Sequence, residues 1–133
     1  MTARRTDMPI LSLELTGLIP SKKNGKVWSG RSKRLFSSSR YQQWHKHAMN
    51  EVLAQRHTLS AFTLPLMKCQ SITVTIYYGD MRRCDNSNKV ESVHDLLVDS
   101  GILADDSWQV TGPTRQIPIF RKGSPGATVL IEV

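Results

Sequence analysis

Cysteine is scarce in this chain, and long apolar runs are missing. Only Cys69 and Cys84 occur in 133 residues, far apart and with no CxxC pair, so a disulfide framework is not expected and reduced, unremarkable thiols are. His45, His47, His57 and His94 are scattered, too widely for a zinc site to be expected from spacing. The apolar N-terminal run PILSLELTGLI is broken by Glu14 and alternates. It reads as a strand, neither a signal sequence nor a membrane span, and a cytoplasmic location is expected. No repeat or low-complexity tract is present, and 39% hydrophobic with 22% charged residues is ordinary globular usage, which argues against a largely disordered chain.

Acidic residues are also few, eleven against eighteen Lys and Arg for a net charge of +7, and both signs are unevenly placed. Residues 1–57 carry a balance of +8 and residues 58–133 one of −1. A basic field confined to one half attracts polyanions, which favours a nucleic-acid partner over general surface solubility. Six of the eleven carboxylates fall between Asp85 and Asp106, directly behind Arg82 and Arg83. That cluster has two readings: a solvated helix face, or metal ligands facing a polyanion.

The length suits one domain with a real core. Residues 1–9 are expected to be a mobile arm and 10–133 the domain. Ile10, Leu11, Leu13 and Leu15 predict a first strand ending near Gly17. The stretch PSKKNGKVWSGRSKRLFSSSR then mixes turn formers with Lys22, Lys23, Lys26, Arg31, Lys33, Arg34 and Arg40, as a long basic loop or a short twisted hairpin. Tyr41, Trp44, Ala48 and Val52 predict a helix over about 40–56, with Ser38 or Ser39 as N-cap. Alternation in CQSITVTIYYG predicts a strand through Ile72, Val74 and Ile76.

A second helix is predicted from Asn88 to about Ser100, closed by Gly101. Its apolar stripe is Val90, Val93, Leu96 and Leu97, with Glu91, Asp95 and Asp99 opposite. The tail predicts two strands around a Gly/Pro turn, the first an edge strand because of Pro118. The fold class is therefore α/β, mixed α+β: a small single domain with a mixed β-sheet and two main helices.

Mg2+ needs few protein carboxylates, because water and substrate phosphate complete its shell. Asp85 before the second helix, Glu91 in its first turn, and Asp105 with Asp106 after it would converge if the following loop folds back. Each also has a plain structural role available: Asn88 and Glu91 have capping-box spacing, Asp95 and Asp99 suit a solvated face, and Asp105–Asp106 suit a turn.

The stretch resembles the RusA-type Holliday junction resolvases, small homodimeric Mg2+-dependent endonucleases of bacteria and their prophages. That family's pattern is Asp, any residue, Asp, Asn, two residues, Lys, three residues, Asp, an apolar helix, Gly and an Asp-Asp pair. Asp85, Asn88, Asp95, Gly101, Asp105 and Asp106 fit it, with Val110 closing the pattern, and the opening strand followed by PSKKN is similar too. The resemblance implies a RusA-like fold and resolution of four-way DNA junctions by a homodimer, with no membrane partner. It implies Mg2+, with Mn2+ as a substitute, held among Asp85, Asp95, Asp105 and Asp106, with Asp85 and Asp106 catalytic. Glu91 joins both the ligands and the catalytic residues if it supplies the carboxylate that the pattern lacks at Ser87. Lys22, Lys23, Lys26, Arg31, Lys33, Arg34, Arg82, Arg83 and Lys89 would contact DNA, and Trp28 or Phe36 would stack on opened bases.

Two positions depart from the pattern. Ser87 stands at the family's second Asp, and Glu91 at its Lys. Either Glu91 supplies the carboxylate that Ser87 lacks, with Lys89 as a nearby cation, or the site is degenerate and the chain is a non-catalytic nucleic-acid-binding module.

Overall fold

In the computed structural model the described residues are 9–20, 26–29, 34–37, 39–81 and 89–133; the 1–9 arm thus lies almost wholly outside them. The run ILSLELT forms β1 (Ile10–Thr16), with Leu11, Leu13 and Leu15 buried and the residues between them exposed. A two-stranded antiparallel hairpin follows, β2 (Lys26–Ser29) with β3 (Arg34–Ser37), so the basic stretch takes the second of its two predicted forms. Helix α1 (Ser39–Gln55) buries Tyr41, Trp44, Ala48 and Val52, the predicted face, and tightens into a 3-10 turn over Arg56–Leu59.

Strand β4 (Ser71–Tyr78) buries Ile72, Val74 and Ile76, helix α2 spans Lys89–Asp99, and a single turn, α3, spans Trp108–Thr111. Strands β5 (Thr114–Phe120) and β6 (Gly126–Glu132) complete the chain. The main sheet has the order β1-β6-β4-β5, with β5 parallel to β4 and the other pairs antiparallel. The two C-terminal strands are therefore not a hairpin: β4 lies between them. The connection from β4 through α2 and α3 to β5 makes a parallel β-α-β unit, in which a helix carries the chain back to the starting end of the sheet.

One face of the sheet is apolar, carrying the alternate residues of β1, β4 and β6, and it forms one core with Trp44, Ala48 and Val52 of α1 and Val93, Leu96 and Leu97 of α2. Both sheet edges are blunted. On β1 the Gln55 side chain accepts from the Glu14 backbone N–H at 2.8 Å and donates to the Glu14 carbonyl at 2.7 Å, while Glu51 accepts from the Thr16 N–H at 3.0 Å. On β5, Pro118 removes a donor from the edge, a usual protection against adventitious strand pairing.

Helix α2 ends where Gly101 takes φ +80°. The Ile102 N–H bonds the Leu97 carbonyl at 2.9 Å and the Gly101 N–H bonds the Val98 carbonyl at 3.1 Å, a Schellman motif closed by the fully buried pair Leu97 and Ile102. A Cβ on Gly101 would meet only the Arg56 guanidinium, at 3.7 Å, so space is not the constraint. Gly101→Ala is expected to cost about 1 kcal/mol through backbone strain alone, read as a lower urea midpoint, with Gly101→Asn recovering part of the loss. Among the described residues no helix is long and apolar enough to cross a membrane.

Candidate active site

Helix α2 has three differently occupied sides. Val93, Leu96 and Leu97 enter the core. Lys89 and Ser92 reach across to the segment after β1: Lys89 Nζ donates to the Ile19 carbonyl at 2.7 Å and Ser92 Oγ donates to the Pro20 carbonyl at 2.6 Å. The chain thus begins its basic stretch while pinned to the first turns of the acidic helix. Lys89, expected to contact DNA, is only 5% exposed. Its first-turn position faces the Ile19–Pro20 segment, and burial with a carbonyl partner replaces the solvated role that sequence suggested.

The third side carries Glu91 and His94, one turn apart. Glu91 is exposed, as are Asp105 and Asp106 in the loop after α2. His94 is half-buried, and its Nε2 shares a hydrogen bond of 2.9 Å with Thr114 Oγ1 at the start of β5. Burial lowers the pKa of this imidazole, while the charges of Asp106 and Glu91 oppose that shift. Asp106, from the loop after α2, and Glu91, from its first turn, thus both bear electrostatically on this ring.

Backbone contacts hold the loop that carries Asp106. The Leu66 N–H bonds the Ile102 carbonyl at 2.8 Å, the Ala104 N–H bonds the Leu66 carbonyl at 3.0 Å, and the Cys69 N–H bonds the Val110 carbonyl at 2.7 Å. The 61–70 segment thereby clamps both ends of the loop holding Asp105 and Asp106. Cys69 is buried, and burial raises its thiol pKa, in keeping with an inert thiol. Next to the pair, Trp108 is 77% exposed, a large apolar surface displayed on an anchored turn.

Asp95 belongs to a different neighbourhood. The sequence placed it on the solvated face or in the set with Asp85, but it is half-buried against α1: the Tyr41 hydroxyl donates to its Oδ2, and His45 Nε2 lies 3.8 Å from the same atom. The wheel of α2 alone does not register that α1 packs across this side. Tyr41 is held well above its ordinary pKa, chiefly by burial and then by its bond to Asp95, with the charges of Asp95 and Asp99 adding to the shift. Asp99 is exposed and accepts from or pairs with His45 Nε2 at 2.9 Å.

Asp85, Ser87, Arg82, Arg83, Lys22, Lys23, Arg31, Lys33 and Cys84 lie outside the described residues, and Lys26 and Arg34 are placed only as backbone positions of β2 and β3. Trp28 and Phe36 are likewise strand positions, paired with Leu35 and Val27. Glu91, Asp105 and Asp106 are exposed carboxylates, oxygen donors of the type a hard cation such as Mg2+ prefers, but among the described residues they do not form a group of three with ligand atoms within 4.8 Å of one another; His45, Asp95 and Asp99 do.

Sequence reasoning missed His94, Trp108 and the His45–Asp99 contact. His94 had a usable signal, standing three residues after Glu91 and thus one helical turn along. His45 had none, because its partners come from another helix.

The lowered His94 pKa fixes a sign. The unfolded chain takes up a proton near pH ~6.5 and the folded chain only at lower pH, so stability falls as pH drops through that window. His94→Gln is expected to flatten this part of the profile, as checked by urea midpoints between about pH 7.5 and 5.

Compared with known proteins, the chain matches no family model and no curated protein sequence.

Proposed function

We propose that the chain is a divalent-metal-dependent endonuclease, and in particular one that resolves four-way DNA junctions in the manner of the RusA-type enzymes. The observation that carries this reading is the anchored loop after α2: backbone bonds between Leu66 and Ile102, Leu66 and Ala104, and Cys69 and Val110 hold the exposed Asp105–Asp106 pair in the loop directly after the helix that carries Glu91, and the charges of Asp106 and Glu91 act in the same direction on His94. It supports the relocation in which Glu91 supplies the carboxylate that Ser87 lacks.

In this reading Asp85, Glu91 and Asp106, with Asp105, would hold Mg2+, which when bound would supply activation of the attacking water and stabilisation of charge on the phosphate. The chain's own residues bind and orient the DNA. Lys22, Lys23, Lys26, Arg31, Lys33, Arg34, Arg82 and Arg83 grip phosphates. The bonds from Lys89 and Ser92 to Ile19 and Pro20 fix the residues that lead into that basic stretch against the first turns of α2. His94, whose pKa burial lowers and whose Nε2 is bonded to Thr114 Oγ1, stands one turn along α2 from Glu91. A two-fold homodimer would present one site to each of two opposed strands, and paired nicks would follow.

The test is incubation with a labelled four-way junction and Mg2+, beside linear duplex and a Ca2+ control. Symmetric nicks in the junction alone support the proposal. Junction binding without cleavage in Mg2+ or Mn2+ would overturn it in favour of a non-catalytic binding module. Binding itself should weaken by roughly 10³-fold or more between about 50 and 200 mM salt if six or more phosphates are contacted.

A further inference from the structure

We propose that His45, Asp95 and Asp99 form a second cation site, selective for a borderline-soft divalent ion of the Zn2+ class and bridging α1 to α2. One ligand atom from each of the three lies within 4.8 Å of the other two. The imidazole separates this group from an acidic patch: it comes from a different helix, and its Nε2 is aimed between two carboxylates one turn apart, 2.9 Å from Asp99 and 3.8 Å from Asp95. Ligands on one tetrahedral Zn2+, bound at about 2.0–2.2 Å, stand about 3.3 Å apart. The two observed His45–carboxylate separations bracket that value, and the ion would take the place of the proton that His45 Nε2 shares with Asp99, which is released to solvent.

The surroundings favour a cation. Asp95 and Asp99 repel each other at i,i+4, and both lie in the last turns of α2, where the helix dipole is negative and no basic residue of α2 stands. The Tyr41 hydroxyl donates to Asp95 Oδ2, the same oxygen that lies 3.8 Å from His45 Nε2, and a donor of this kind orients a ligating carboxylate. Side-chain exposure rises from 21% at His45 to 47% at Asp99, leaving the outer side of the site open for water to complete the shell. A cavity of about 200 Å³ adjoins Asp99, lined by Met49, Asn50, Arg56 and Ser100 among others. A nitrogen donor disfavours Mg2+ and suits Zn2+ or Co2+, so this site differs in chemistry from the all-carboxylate one.

The experiment titrates Zn2+ into the chelator-treated full chain by calorimetry, with Co2+ as an optical probe and thermal melting in parallel. One equivalent is expected to bind with a dissociation constant on the order of 10 µM or tighter, with tetrahedral Co2+ absorption. Melting should rise by roughly 8 °C at a hundredfold excess over that constant. Asp99→Asn, at an exposed position, and His45→Ala should each weaken binding by about 30-fold or more, whereas His57→Ala should not. Failure to bind at about 100 µM Zn2+, or equal binding by Asp99→Asn, overturns the site and leaves His45 as an ion-pairing partner only. The variants avoid Asp85, Glu91 and Asp106, so the result stands apart from the outcome of the junction assay.

Discussion

Asp106→Asn is expected to lower junction cleavage by on the order of 10³-fold while leaving junction affinity and folding essentially intact. Asp106 is exposed and sits in a loop clamped by backbone bonds on either side, so removing its charge alters stability by no more than about 0.5 kcal/mol. Glu91→Gln should behave alike, because Glu91 is exposed in the first turn of α2 and not part of the core. A fully active Glu91→Gln enzyme would rule out the relocated carboxylate. A second readout is independent of catalysis. Since both charges raise the pKa of His94, each variant should move its NMR titration further down. A His94 titration unmoved by Asp106→Asn would place that carboxylate elsewhere, whatever the cleavage assay returned.

Leu97→Ala should be the most damaging single change to the fold, at about 3–5 kcal/mol. Leu97 is fully buried under the sheet, and its carbonyl closes the Schellman motif with Ile102. Truncation opens a cavity at the point where α2 hands over to the Asp105–Asp106 loop. The expected result is a melting temperature lower by roughly 10 °C or more, with urea unfolding still cooperative. Any loss of cleavage here should follow the loss of structure and return on cooling. In Asp106→Asn it should not. Leu53→Ala, at an exposed α1 position, provides the control and is expected to shift melting by no more than about 2 °C.

The elements with strong internal periodicity were legible from the sequence. Alternation in β1 and β4, the 3.6-residue stripe of α1 and the Gly101 stop of α2 all reflect local physics: burial of one face and a backbone angle only glycine adopts freely. Pro118 correctly marked β5 as an edge. What the sequence left open depends on contacts between distant segments. Nothing local to TRQIPIF or GATVLIE tells that β4 inserts between them. Asp95 and Lys89 look like surface charges on an isolated helix, and only the packing of α1 and of Ile19–Pro20 against α2 encloses them. For the site, the carboxylates were legible as types and spacings. The anchoring of the loop that carries Asp105 and Asp106 was not, because it depends on the 61–70 segment, and that segment carries no pattern of its own.

The two bonds from Lys89 and Ser92 to consecutive carbonyls also set a mechanical condition. They rivet the strand exit at Ile19–Pro20 to the first turns of the helix, so β1 and α2 are tied at this point by two polar bonds as well as by the shared core. If the chain acts on DNA as proposed, a load applied beyond Pro20 would reach the start of α2 through these bonds, on a side of the helix adjacent to that of Glu91.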